Sequence, residues 1–137
     1  MTCKQAEQIA NLINARNRLQ TALMTEEVFK NQKHYLFRTS VVGDVIACVK
    51  LKKLSWYQCE VSHLAVAEPH TRQGYANSLL EQAVNFANDK GARLVQCTIR
   101  ADNQAIRELL TSNGFTYVHH FKNRATGNMI NVYKRIL

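Results

Sequence analysis

The hydrophobic period of the chain changes several times, and those changes limit the fold more than any other feature. Ala6, Ile9, Ala10 and Ile13 recur at i, i+3, i+4 and i+7, which predicts an amphipathic helix over about residues 4–16. Thr25 followed by Glu26 and Glu27 reads as a cap with acids in a first turn, so a second helix is expected to about Gln32. The period then shortens. His34 to Val41 and Val45 to Leu54 are rich in β-branched and aromatic residues, with a hairpin turn at Gly43-Asp44. Tyr57 to Val66 reads as a third strand, closed at Glu68-Pro69 because proline cannot donate to a ladder. A helical face returns with Ala76, Leu79, Leu80, Ala83, Val84 and Ala87, and Gly91 is placed to end it. Arg93 to Arg100 is a nearly continuous apolar strand, the pattern of a strand covered on both faces. Asp102 or Asn103 caps a short helix carrying Ile106, Leu109 and Leu110, which stops at Gly114. Phe115 to Phe121 and Met129 to Ile136 form a closing pair. The order ααβββαβαββ predicts an α/β (α+β) fold with a mixed sheet flanked by helices.

The chain is 137 residues long, enough for one domain whose core needs no staple, so residues 1–137 read as a single unit. Apolar residues make up 46% and proline occurs once, which excludes disorder. Lys plus Arg is 18 against 10 for Asp plus Glu, a formal charge of +8. Only 20% of residues are charged, so the surplus reflects scarce acids rather than a basic tail, and it suggests an anionic partner. The first residues lack the apolar run of a signal peptide, and no stretch approaches the ~18 apolar residues of a membrane span. Cys3, Cys48, Cys59 and Cys97 form no C-x-x-C pair and no zinc-finger spacing. They read as free thiols in a reducing, cytoplasmic setting, with a nucleophilic Cys97 as the alternative.

The informative segment is Val66-Ala67-Glu68-Pro69-His70-Thr71-Arg72-Gln73-Gly74-Tyr75-Ala76, a strand end, a turn and a helix start. Arg72 and Gln73 are rich in donors, Gly74 allows close approach of backbone, and Ala76 removes bulk. Backbone N–H groups at a helix start point outward and carry partial positive charge, so the segment reads as an anion cradle suited to a pyrophosphate. The alternative is an ordinary strand–helix turn. The pattern is neither a P-loop nor a G-x-G-x-x-G turn.

The element order and this turn resemble the GCN5-related N-acetyltransferase (GNAT) family, whose signature Q/R-x-x-G-x-G/A holds the pyrophosphate of acetyl-CoA. Here Thr71-Arg72-Gln73-Gly74-Tyr75-Ala76 keeps the final Gly-x-Ala, with Thr71 in place of Gln or Arg. A second match runs from Asn103 to Phe115, similar to the family's N-x-x-A-x-x-x-Y-x-x-x-G-F. Asn103, Gly114 and Phe115 fit, and Leu110 stands at the tyrosine position. The resemblance implies a mostly antiparallel sheet, with the family's first strand missing before the N-terminal helix. It implies an N-acetyltransferase with acetyl-CoA as cosubstrate and no metal. It places Leu64, Ala65 and Val66 along the pantetheine arm, Thr71 to Ala76 at the pyrophosphate, and Asn103 and Leu110 of the second motif also at the cofactor.

The family acetylates an amine by direct attack, so a proton must be removed. Glu60 lies on the strand leading into the cradle, where several family members place the carboxylate that takes it. Alternation puts Glu60, Ser62, Leu64 and Val66 on one face. The bland alternative for Glu60 is a surface glutamate paired with Lys50 or Lys52. Tyr117 is a stand-in for the missing acid or, more simply, a core residue. Cys59 and His63, four apart, could share a face; His119 and His120 point apart, and His70 sits in the cradle loop. The acceptor cleft of this fold is bordered by the first helix–helix link and the last hairpin, which carry Arg16, Arg18, Lys122 and Arg124. That basic rim suggests a protein, peptide or other anionic amine as acceptor. A small-molecule amine and a homodimer partner also fit the family. Two other readings stand beside it: a catalytically weak module binding CoA or nucleic acid, and a toxin-like acetyltransferase of aminoacyl-tRNA. Nucleic acid is the less favoured partner, because Arg93, Arg100, Lys50, Lys52 and Lys53 are scattered over several strands without an aromatic stripe.

Overall fold

The computed structural model describes residues 1–17, 19 and 21–137. Helices α1 (Cys3–Arg16) and α2 (Thr25–Lys30) precede strands β1 (Tyr35–Thr39), β2 (Val45–Lys53) and β3 (Gln58–Val66). Helix α3 (Tyr75–Asp89), strand β4 (Leu94–Arg100), helix α4 (Gln104–Ser112) and strands β5 (Thr116–Lys122) and β6 (Met129–Ile136) complete the predicted order. The six strands lie in one sheet in the order β1-β2-β3-β4-β6-β5. Only β3 and β4 are parallel.

Helix α1 starts at a capping box. The Gln5 N–H donates to Thr2 Oγ1 at 3.0 Å, and the Thr2 N–H donates to Gln5 Oε1 at 2.9 Å. Its stripe of Ala6, Ile9, Ala10 and Ile13 is buried against β2 and β3. Helix α2 differs from expectation: Met24 holds the cap position, Thr25 is the first helical residue, and no side chain caps it. The helix ends at Lys30, and a short 3-10 turn, Gln32–His34, leads into β1. Helix α3 buries Leu79, Leu80, Ala83, Val84 and Ala87 on the other side of the sheet. Asn103 caps α4, its Oδ1 accepting from the Ile106 N–H at 3.3 Å.

The sheet therefore separates two apolar clusters. One joins α1 and α2 to Cys48, Ala65 and Tyr35; the other joins α3 and α4 to Val49, Val61, Val95 and Cys97. Strand β4 departs from the expected two-sided burial. Val95 and Cys97 are buried, but Gln96 is only half-buried and Thr98 is exposed. The cause is that α1 packs over β2 and β3 and stops short of β4.

The ladder between β3 and β4 runs only from Gln58↔Leu94 to Val61↔Cys97. Beyond it β3 continues to Val66 and β4 to Arg100, with no partner for the edges that face each other. On its other side β3 carries a bulge. Cys48 pairs with Ala65 and Lys50 with Ser62, so His63 and Leu64 together oppose Val49. His63 takes φ +52° there.

Leu110 is fully buried in the α3–α4 cluster. Leu110→Ala is expected to lower unfolding free energy by about 2–5 kcal/mol, measured as a drop in urea midpoint at constant m-value.

Candidate functional site

The opening between β3 and β4 leads to a cavity of about 970 Å³. Its walls include Leu64, Ala65 and Val66 on β3, His70 to Arg72 and Gly74 in the following loop, and Tyr75 to Asn77 at the start of α3. Arg100, Asn103, Ile106 and Leu109 close the far side. Most of the residues assigned to the cofactor therefore gather on one cavity. Gln73 is not on its wall; its Oε1 lies 3.4 Å from His70 Nδ1. Leu110 is not on it either, since Leu109 and Ile106 turn toward the cavity while Leu110 turns into the core.

The loop is built to leave donors free. Arg72 and Gly74 both have left-handed backbone, at φ +64° and +84°. The Thr71 N–H donates to Glu68 O, and helical bonding resumes with the Ser78 N–H to Gly74 O at 3.0 Å. The N–H groups from Arg72 to Asn77 lie between these two bonds and have no partner among the described residues. No side chain caps α3, and its first turn carries no acid. A row of unpaired donors at the positive end of a 15-residue helix suits a phosphate group. The chemistry of this donor set, together with the unpaired strand edges, fits acetyl-CoA. Gly74 is needed for its backbone angle and not for space, since a Cβ there would meet nothing within 4 Å.

A second cavity of about 320 Å³ lies on the α1 face. Leu64, Arg100, Asn103 and Ile106 wall both cavities, so the two meet there. The second is bordered, as expected, by the α1–α2 link and the β5–β6 hairpin. Its charge differs from expectation. The hairpin presents Asn123, Thr126 and Asn128 to it, and neither Lys122 nor Arg124 lines it. Arg16 does line it but is ion-paired with Glu68, and Arg100 Nε lies 3.7 Å from Asp102. Arg18 lies outside the described residues. Among the described residues the basic rim thus reduces to two cations that already have partners.

The bulge overturns the expected facing of β3. Cross-strand partners show Glu60 and Ser62 on the α1 face, beside Lys52 and Lys50. Leu64 and Val66 pack instead on the α3 cluster with Val61. One extra residue at His63 reverses the alternation. Glu60 lines neither cavity. It shares its face with Ser62, which does line the second cavity, and Gln96 Nε2 lies 3.5 Å from its Oε2. His63, expected to be able to share a face with Cys59, instead stands in the wall of the second cavity, while Cys59 packs in the α3 cluster. Its Nδ1 lies 3.3 Å from Tyr35 Oη. Burial, with help from Lys50, holds the imidazole below its usual pKa, so it is neutral at pH 7. Burial pushes the Tyr35 phenol up to about 12.

The remaining candidates separate cleanly. Cys97 touches the second cavity, but burial first, then nearby Glu60, raises its pKa to about 12, so it remains a thiol and not a nucleophile. Tyr117 is neither core nor site: it is 49% exposed on β5, stacks on His120 and shares a hydrogen bond with it. Among the described residues no three His, Cys, Asp or Glu side chains gather where they could hold a metal. Among the described residues no helix is long and apolar enough to cross a membrane.

The sequence profile of the acetyltransferase (GNAT) family matches residues 5–115. No curated protein sequence matches the chain. Among solved structures, Ard1 from Thermoplasma volcanium is similar at TM-score 0.87 and 17% identity, covering 100% of this chain and 94% of that one. Ribosomal-protein-alanine N-acetyltransferase from Brucella melitensis is similar at TM-score 0.83 and 16% identity, over 100% and 97%. A GNAT family acetyltransferase from Elizabethkingia anophelis with acetyl-CoA bound is similar at TM-score 0.76 and 16% identity, over 93% and 89%.

Two substitutions test what the cradle is made of. Gly74→Ala forces a Cβ into left-handed backbone at a cost of about 1–2 kcal/mol. It should lower the melting temperature by a few degrees and shrink the protection given by acetyl-CoA. Arg72→Gly relieves the same strain, so it should raise the melting temperature and keep that protection. Loss of protection in Arg72→Gly would mean that the guanidinium, and not the amide row, holds the anion.

Proposed function

Because the chain belongs to the acetyltransferase (GNAT) family, we propose that it transfers an acetyl group from acetyl-CoA to the α-amine of a peptide or protein. The observation that carries the reading is the meeting of the two cavities at Leu64, Arg100, Asn103 and Ile106. The amine attacks the thioester carbon of acetyl-CoA, the C–S bond breaks, and CoA leaves as its thiolate. Its phosphates fit the amide row from Arg72 to Asn77, and its extended arm fits the open edges of β3 and β4. Backbone N–H groups of β3 beyond Val61 are available to the carbonyl oxygen, where negative charge grows during attack.

The smaller cavity supports the choice of acceptor. Among the described residues its wall holds no Asp or Glu. Asn17, Asn123, Asn128 and Thr126 offer hydrogen bonds suited to a peptide backbone. Such a wall does nothing to stabilise an ammonium. It favours an amine already partly neutral near pH 7.5, which describes an α-amine of pKa about 7.7–8.0 and not a lysine of pKa about 10.4. The similarity to a ribosomal-protein-alanine N-acetyltransferase agrees with this acceptor class.

Glu60 takes the amine's proton through water. It stands two residues from Ser62 on the cavity's own face, a separation of about 7 Å along a strand. His63 is a second candidate, favoured by its place in the wall and its neutral ring. With Nδ1–H donated to Tyr35 Oη, its Nε2 would accept a proton directly. No phenol is needed at Leu110, because a thiolate of pKa about 8.5 leaves without an acid.

Thiol release from acetyl-CoA with a free-N-terminus peptide should rise with pH and level off near 8. A peptide blocked at the α-amine and offering only lysine should react on the order of 10²-fold slower at pH 7.5. Equal rates would remove the α-amine assignment. Glu60→Gln is expected to lower kcat by about 10²-fold or more, and His63→Gln by much less. The reverse order would assign the proton to His63.

A further inference from the structure

The chain has one tryptophan, Trp56, and it is 76% exposed. It sits at the tip of the β2–β3 hairpin, edge-to-face on Tyr57 with ring centroids 5.1 Å apart, and it lines neither cavity. Leu54 and Tyr57 beside it are also exposed. An indole left in water next to other apolar side chains marks a contact surface more than a packing element. Strand β3 begins just after this hairpin and first meets a cavity at Ser62, so the indole lies about 20 Å along the strand from the site.

The fold gathers cations there that the sequence disperses. Lys52 and Lys53 end β2, just before the hairpin, and Lys90 follows α3. The turn after Lys90 is tied to the hairpin: the Arg93 and Leu94 N–H groups donate to Tyr57 O at 2.7 and 3.0 Å. Lys33 precedes β1, whose first residue, Tyr35, pairs with Lys50. His34 shows how close they come, since Lys33, Lys50, Lys90 and Lys52 all add to the effect of burial in lowering its pKa. The acids at this end include Glu60, opposite Lys52, Asp89, beside Lys90, and Glu27, near Tyr35. None of the three forms an ion pair with these lysines among the described residues.

We propose that this end of the molecule docks a single-stranded polynucleotide, with a base stacked on Trp56 and phosphates held by Lys33, Lys52, Lys53 and Lys90. A free aromatic face bordered by a track of cations is how sequence-tolerant single-strand surfaces are made. The track argues against a membrane. It runs back from the tip along β2 to Lys50, about 20 Å at strand spacing, where a flat bilayer touching the hairpin would not follow. An acidic peptide would engage the lysines and leave the indole unexplained. The proposal does not rest on the acetyl-transfer reading.

Trp56 is its own probe. Oligo(U) and oligo(dT) 12-mers should each quench its fluorescence saturably at 50 mM salt. Three to four phosphate contacts on a single strand predict binding about 20- to 50-fold weaker at 200 mM salt. By anisotropy of labelled oligonucleotide, Trp56→Ala should weaken binding about 5- to 150-fold, the range for losing one stacked base. Lys52→Glu with Lys53→Glu should weaken it and flatten the salt dependence. Melting-temperature protection by acetyl-CoA should be the same in these variants, showing that they fold and keep the cleft. Quenching by either strand supports the surface, and their relative affinities tell which sugar it prefers. No quenching by either strand, or unchanged binding in Trp56→Ala, overturns it. So does a blue shift with phosphatidylserine vesicles, or a response to an acidic peptide, where oligonucleotides give none.

Discussion

The parallel ladder between β3 and β4 holds for four register positions and then opens, and the rest of the site depends on where it stops. Below the opening, Cys59, Val61, Val95 and Cys97 are buried under α3 and α4, so apolar contact keeps the strands together. Above it, both inner edges lose their partners. An unpaired backbone group inside a protein costs about 1–3 kcal/mol, and these edges are tolerable because they line a cavity instead of a core. An extended ligand carrying amides can satisfy them as an added strand would. The uncapped start of α3 follows directly beyond, so one opening offers strand edges to an arm and free N–H groups to its phosphates.

The bulge at His63 lets a single strand serve two partners. Without it, Glu60, Ser62, Leu64 and Val66 would share a face, and a carboxylate able to serve the acceptor would point the same way as the apolar residues that pack on α3. The extra residue sends Leu64 and Val66 to one side and leaves Glu60 and Ser62 on the other. Left-handed backbone at a non-glycine residue costs of order 1–3 kcal/mol and persists only where its surroundings hold it. At His63 the hydrogen-bonding contact with Tyr35 and the contact of Cys48 Sγ with the His63 carbonyl, 3.6 Å apart, supply that hold.

This explains which parts were readable in the sequence. The element order and the cradle are local: a helix stripe, a glycine at a turn and a proline closing a strand act within a few residues of themselves. The bulge has no local mark, since His63 is neither glycine nor asparagine and only the pairing of β2 with β3 imposes its backbone angle. The same limit hid the exposed face of β4, which depends on how far α1 reaches, and the neutral hairpin wall. Lys122 and Arg124 alternate with Asn123 along the chain, and only the folded hairpin decides which of them meets the cavity. Leu110 shows the limit of motif matching: its place in the pattern suggested a ligand contact, while its burial assigns it to the core.

The positive charge is distributed by the same logic. At the second cavity two cations are paired within the chain, Arg16 with Glu68 and Arg100 with Asp102. The expected pyrophosphate site relies mainly on backbone dipoles, which add nothing to the net charge of +8. Much of the surplus lies elsewhere, and lysines without ion partners among the described residues collect at the hairpin end, beside Trp56. Like charges held close repel one another, and a fold keeps such an arrangement at a cost unless an anion offsets it. The lysine track also reaches toward the site, since Lys50 lies opposite Ser62 and adds to the effect of burial in holding the His63 imidazole below its usual pKa.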